Sequence, residues 1–219
     1  MADPKKEEVL ANLARELEDC AACHLRGECI APVGWFGAAE SPLVIVAEGP
    51  GGVEDSYGCP LIGPSGQLLD KALWSVGITR DRVLTTNVIK CRPTGNRTPT
   101  IEEADFCAKR FLYKELDCLQ PKVIVALGNV ALHYLLGPDA RISRARGCWF
   151  KTYQGFDTIA TYHPSYLLRL HGQAQTAAKW DVFHDLQAAK AKALEAVPNY
   201  QFKSEKPYPF FEHLTRRHA

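Results

Sequence analysis

Short apolar runs alternate along this chain with longer stretches in which apolar residues recur every three or four positions. Leu43-Val44-Ile45-Val46-Ala47, Val83 to Asn87, Val123-Ile124-Val125-Ala126-Leu127 and Thr158-Ile159-Ala160-Thr161 are short and rich in β-branched side chains, the pattern of strands buried on both faces. Helical patterns separate them. Residues 5 to 19 put Val9, Leu10, Leu13 and Leu17 on one face, and residues 66 to 76 form a stripe of Leu68, Leu69, Ala72 and Leu73 with Ser65 as the predicted N-cap. Thr100, with Glu103 three residues on, predicts a capped helix reaching about Leu119. Residues 130 to 136 predict a short helix after a glycine turn, 174 to 196 a long one, and 148 to 153 fit an edge strand. Strands alternating with helices predict an α/β fold whose parallel sheet is covered on both faces.

In such sheets ligands bind beyond the carboxyl ends of the strands. Glu48 with its Gly49-Pro50-Gly51-Gly52 loop, Asn87 and His163 all follow predicted strands, so one rim collects them. Glycines let backbone N–H groups approach a ligand closely, although a plain Gly/Pro turn gives the same sequence; no Gly-Lys-Ser/Thr follows, so this is not a P-loop. An asparagine amide offers a donor and an acceptor to the edge of an amide-like heterocycle, and a histidine can donate to an oxygen gaining negative charge. Lys90, Arg92, Arg97, Arg144, Arg146 and Arg169 lie near strand ends, as a phosphate-binding rim or as scattered solvated charge.

Composition adds bounds. The 219 residues, 46% hydrophobic and 23% charged, predict one domain over residues 1 to 197 and a tail, 198 to 219, without a readable period. A net charge of +1 argues neither for nor against nucleic acid. No apolar run spans a membrane and the start has no signal core, which predicts a soluble cytoplasmic protein. In that setting eight cysteines point to metal or chemistry rather than disulfides. Cys20 and Cys23 form a C-x2-C and Cys91 and Cys107 a C-x15-C; four thiolates suit zinc or an iron–sulfur cluster equally by count. Cys29, close to Cys23, is an alternative ligand, and Cys118 reads as core.

Several motifs in order resemble one family. They are Glu48-Gly49-Pro50-Gly51 with Glu54-Asp55, Pro60-Leu61-Ile62-Gly63 with Gly66-Gln67-Leu68-Leu69-Asp70, Asn87-Val88-Ile89-Lys90-Cys91-Arg92-Pro93 with Asn96-Arg97-Thr98-Pro99, and His163-Pro164-Ser165-Tyr166-Leu167-Leu168-Arg169. From about Cys20 to Leu194 the chain resembles the family-four uracil-DNA glycosylases, the iron–sulfur members of their superfamily. The resemblance implies a three-layer α/β/α sandwich around a mainly parallel four-stranded sheet, and a structural [4Fe-4S] cluster on Cys20, Cys23, Cys91 and Cys107. It also implies hydrolysis of the N-glycosidic bond of deoxyuridine in DNA, single- or double-stranded, by a monomer, with a flipped base in the pocket. Asn87 would read the uracil edge, His163 would support its O2, Ala47, Glu48, Gly49 and Leu61 would line the pocket, and Glu48 or Glu54 would assist the chemistry. Arg92, Arg97, Leu167, Leu168 and Arg169 would meet DNA, with the leucines as wedges.

Three positions depart from the family: Leu61 stands where a stacking Phe is usual, Ala47 replaces a Gly, and Gly52 an acid. Leu61 and Gly52 favour, as the alternative, a weak or altered-specificity homologue that binds DNA or a replication or repair protein, while intact Asn87 and His163 favour the enzyme. Residues 92 to 99 hold no histidine, which excludes the covalent uracil-site chemistry of related proteins.

Overall fold

The computed structural model describes residues 4–152, 154–205 and 214–217. Among the described residues five strands form one sheet: β1 (Leu43–Ala47), β2 (Leu84–Asn87), β3 (Val123–Leu127), β4 (Trp149–Lys151) and β5 (Asp157–Thr161), in the order β2-β1-β3-β5-β4. Four of them are parallel, as expected. The fifth, β4, runs antiparallel to β5 at the edge, so the sheet has one strand more than the four-stranded expectation. Its Trp149-Phe150-Lys151 pattern, open to solvent on alternate residues, is that of an edge rather than a core strand.

Successive side chains of β1 and β3 point to opposite faces, and each face buries its own core. Val44, Val46, Ile124 and Ala126 pack with α1 (Pro4–Glu18), α4 (Ile101–Cys107), α5 (Tyr113–Leu119) and α6 (Gly128–Leu136). Leu43, Ile45, Ala47, Val123, Val125 and Leu127 pack with α3 (Pro64–Ser75), α8 (Pro164–Arg169) and α9 (Gly172–Ala196). Two short helices, α2 (Gly52–Tyr57) and α7 (Ile142–Ala145), complete the fold, a three-layer α/β/α arrangement. In α1, Leu10, Leu13 and Leu17 are buried, while Val9 at the stripe's edge is 38% exposed.

Two helix expectations change. The N-cap of α3 is Gly63 and Pro64 fills N1, so Ser65 lies inside the first turn; proline's fixed φ starts the helix two residues early. The helix begun by the Thr100–Glu103 capping box is interrupted by a π-turn over Ala108–Leu112 before α5 resumes. In the tail, Phe202 is buried, its carbonyl accepting from Thr79 N–H at 2.8 Å, and Tyr200 Oη donates to the Arg82 carbonyl at 2.8 Å.

Candidate active site and thiol cavity

After β1 the chain turns to β2 on one side and then crosses back to β3 on the other. The crevice above this reversal of strand order is where open parallel sheets bind ligands. A cleft of about 1180 Å³ occupies it, lined by Glu48 to Glu54 from the end of β1, Leu61, Ile89, Arg97, Gly128, His163, Tyr166 and Arg169 among others. A separate apolar groove between α3, α8 and α9 contains none of the predicted catalytic groups.

Asn87 ends β2 beside Ala47, with no solvent exposure. Neither its Oδ1 nor its Nδ2 has a hydrogen-bond partner among the described residues. Leaving a buried amide unpaired costs about 1–3 kcal/mol, and native structures seldom tolerate this without a functional reason.

His163 caps α8. Its Nδ1 accepts from the Ser165 backbone N–H at 3.2 Å and lies 2.8 Å from Ser165 Oγ. An Nδ1 that accepts leaves the ring hydrogen of a neutral imidazole on Nε2. Burial, with a smaller push from Arg169, lowers the His163 pKa to about 4, so the ring is a neutral donor near pH 7. A β-carbon added to Gly128 would lie 2.9 Å from His163 Cβ, and this glycine sits at φ +82°, which fits both the turn after β3 and the ring's close seat.

The two candidate carboxylates differ sharply. Glu54 is buried, its Oε1 accepting from Ile62 N–H (2.9 Å) and Gly63 N–H (2.7 Å) and its Oε2 from Gly51 N–H (3.1 Å). It braces two loops. Glu48 lines the cleft without a side-chain hydrogen bond among the described residues, and burial raises its pKa above the ordinary 4.5.

Leu61 is braced from the other side. It adopts φ 55°, rare for a leucine; fully buried Arg80 holds its carbonyl at 3.1 Å and that of Pro60 at 2.8 Å while pairing with Asp70 at 2.9 Å. Gly66 admits this turn, since a β-carbon there would meet the Leu61 carbonyl oxygen at 1.7 Å. No sequence pattern announced Arg80, which lies in an ordinary run of charges.

The predicted DNA-facing residues divide. Tyr166 and Leu168 are 40% and 43% exposed on α8, whereas Leu167 is 3% exposed and belongs to the core. Arg169 is exposed at the cleft rim, and Arg92, half-buried, donates to Asn96 Oδ1 at 2.7 Å. Arg97 is engaged by Glu103 (2.6 Å) and Glu28 (3.5 Å), and Arg146 by Asp181 and Asp185. Lys90 is fully buried and cannot meet phosphate.

Cys20, Cys23, Cys91 and Cys107 line one small cavity with Leu17, Leu25, Phe106 and Phe111; Cys29 lies outside its lining. Cys118, partly buried, packs against the core on the α1 side of the sheet. Among the described residues no three of these sulfurs lie within 4.8 Å of one another. The cavity's soft thiolate donors and largely apolar walls, with Arg26 and Lys90 beside them, fit an iron–sulfur cluster.

The model of the uracil DNA glycosylase superfamily matches residues 34–187. The type-4 uracil-DNA glycosylase of Thermotoga maritima is 37% identical over 187 residues, 85% of this chain and 95% of that protein. The type-4 enzymes of Archaeoglobus fulgidus (36% over 168 residues, 74% of this chain and 84% of that protein) and Pyrobaculum aerophilum (37% over 179 residues, 76% and 89%) are similar too. With the family model matching most of the chain and type-4 enzymes similar over about three quarters of it or more, this chain belongs to the uracil DNA glycosylase superfamily, among its type-4 members.

Proposed function

We propose that the protein removes uracil from DNA by hydrolysing the N-glycosidic bond, leaving an abasic site. The observation that carries this reading is Asn87, a fully buried amide whose donor and acceptor are both unpartnered among the described residues. Uracil presents an amide edge of complementary donor and acceptor, so binding it would relieve the unpaired amide as well as select the base. To reach the cleft the base has to leave the stack, and exposed Tyr166 and Leu168 on α8 are placed to fill the gap.

As the bond lengthens, positive charge develops on the sugar and negative charge on the departing base. Neutral His163, with Nε2–H free to donate, stabilises the uracil oxygen that becomes anionic. Glu48 is the carboxylate left to orient water and oppose the cationic sugar; Glu54 holds the loops instead. Arg92 and Arg169 supply phosphate contacts.

Cys20, Cys23, Cys91 and Cys107 would hold a [4Fe-4S] cluster, which when bound crosslinks α1, the segment after β2 and the end of α4 and takes no part in bond cleavage. A side-chain hydrogen bond with Cys29, together with burial, raises the Cys91 thiol, and burial raises that of Cys107 to about 11 with Lys90 opposing, so cluster binding has to release their protons. Among the described residues no helix is long and apolar enough to cross a membrane. Eight free thiols suit the reducing cytoplasm.

The test is incubation with a single-stranded oligonucleotide carrying one uracil, then alkali. Strand breakage at the uracil, absent from a thymine control, is expected; tight binding without breakage would replace the enzyme by a DNA-binding module. Absorbance near roughly 400 nm in the purified protein tests the cluster, and a colourless protein would remove it.

A further inference from the structure

We propose that Lys90 is a positioning residue that ties the thiol cavity to the Asn87 amide, an inference that rests on Asn87 as the base-reading group. Lys90 is 1% exposed, and its ammonium lies 2.6 Å from Thr86 Oγ1 and 2.7 Å and 2.8 Å from the two oxygens of Glu115, itself 1% exposed. Thr86 Oγ1 lies 2.8 Å from Glu115 Oε2, so the three groups close on one another. The Lys90 backbone N–H donates to Cys107 Sγ at 3.3 Å, and its chain neighbour is Cys91.

The connection is geometric. Thr86 and Asn87 are consecutive in β2 and project to opposite faces of the sheet, so fixing the Thr86 hydroxyl on one face sets the height and tilt of the Asn87 amide on the other. Glu115 sits just past the π-turn that follows Cys107, which places the far end of the tie on the same helix as a cavity thiol. Burying an ion pair is poor stabilisation, since well-packed apolar residues often do as well, and such pairs are better at selecting one arrangement. The arrangement selected here joins the two thiols of residues 91 and 107 to the strand end that carries Asn87.

The experiment replaces the whole network by apolar side chains of similar volume, Thr86→Val with Lys90→Met and Glu115→Leu, in the full-length protein. Expected are an unchanged unfolding midpoint and cluster absorbance, a displaced Asn87 side-chain amide signal in 15N NMR (identified by its loss in Asn87→Ala), and kcat for uracil release about tenfold lower, with KM for DNA unchanged. Lys90→Arg, which keeps the charge but lengthens the reach, is expected to move the same signal in a protein with the charge pair intact. An Asn87 signal and kcat untouched in a folded triple variant would overturn the tie, as would an unmoved signal in Lys90→Arg if the triple variant does not fold. Absence of uracil release by the unsubstituted protein would instead count against the proposed function, leaving the NMR comparison to judge the tie.

Discussion

The Nδ1 atom of His163 accepts a hydrogen bond from the backbone N–H of Ser165 at 3.2 Å, and this one contact assigns the ring its role. A protonated ring would lose that acceptor, and burial together with Arg169 holds its pKa at about 4. Uracil release is therefore expected to show no inflection near pH 6.5. The acid limb belongs to Glu48, whose raised pKa places it above the ordinary 4.5, and Glu48→Gln should abolish that limb. For stability the sign is as follows. Between pH 6.5 and about 4 the unfolded chain binds a proton that folded His163 does not, so its contribution is complete above pH 6.5 and is lost as pH falls toward 4. A rate profile centred on 6.5 would refute the neutral donor.

Asn87 sets activity against stability. Asn87→Ala should reduce uracil release by about 100-fold or more, in the range of losing one transition-state donor. It also removes an amide whose burial unpaired costs about 1–3 kcal/mol, offsetting the small cavity left behind. Chemical denaturation should therefore find the inactive variant as stable as the original protein, or more so.

Glu54→Ala is expected to do the reverse. It strands the N–H groups of Gly51, Ile62 and Gly63 and should cost on the order of 3 kcal/mol in urea unfolding, with uracil release reduced through a loosened Leu61 turn. Glu48→Gln should leave the urea midpoint nearly unchanged.

Salt dependence separates the arginines. Arg92→Gln or Arg169→Gln should lower the slope of log affinity against log salt by about 0.7 to 0.9 each. Arg97→Gln should leave the slope unchanged and instead lower stability, because its partners are Glu103 and Glu28.

The layered architecture was legible because β1 and β3 are buried on both faces, which demands unbroken apolar runs, and because the capping box at Thr100 uses side chains that announce themselves. The strand-end rule also placed Glu48 and His163 on the lining of one cleft, with Asn87 at a neighbouring strand end, buried beside Ala47. What stayed hidden depends on partners distant in sequence. Glu54 and Glu48 are both acids beside glycines, and only the fold shows that one has three backbone donors. Leu167 and Leu168 are indistinguishable until a six-residue helix turns one inward. Lys90 reads as a surface cation because nothing near it in sequence reveals Glu115, and Arg97 reads as one until the turn before α4 folds it onto Glu103.

Leu61 is the departure with a measurable consequence. Base–aromatic stacking is worth about 1–3 kcal/mol by alanine substitution, and leucine recovers part of it through contact area. Leu61→Phe, in a turn already held by Arg80 and Glu54, should tighten inhibition by free uracil by about fivefold with little change in the unfolding midpoint. Inhibition left unchanged would show that this side chain does not meet the base.

The most direct measurement is single-turnover uracil release from a one-uracil oligonucleotide by the unsubstituted protein, Asn87→Ala and His163→Ala. Release by the first, with losses of about 100-fold or more in each variant while DNA binding persists, is the predicted result. Equal release by all three proteins would contradict the assignment of base recognition and leaving-group stabilisation to this cleft.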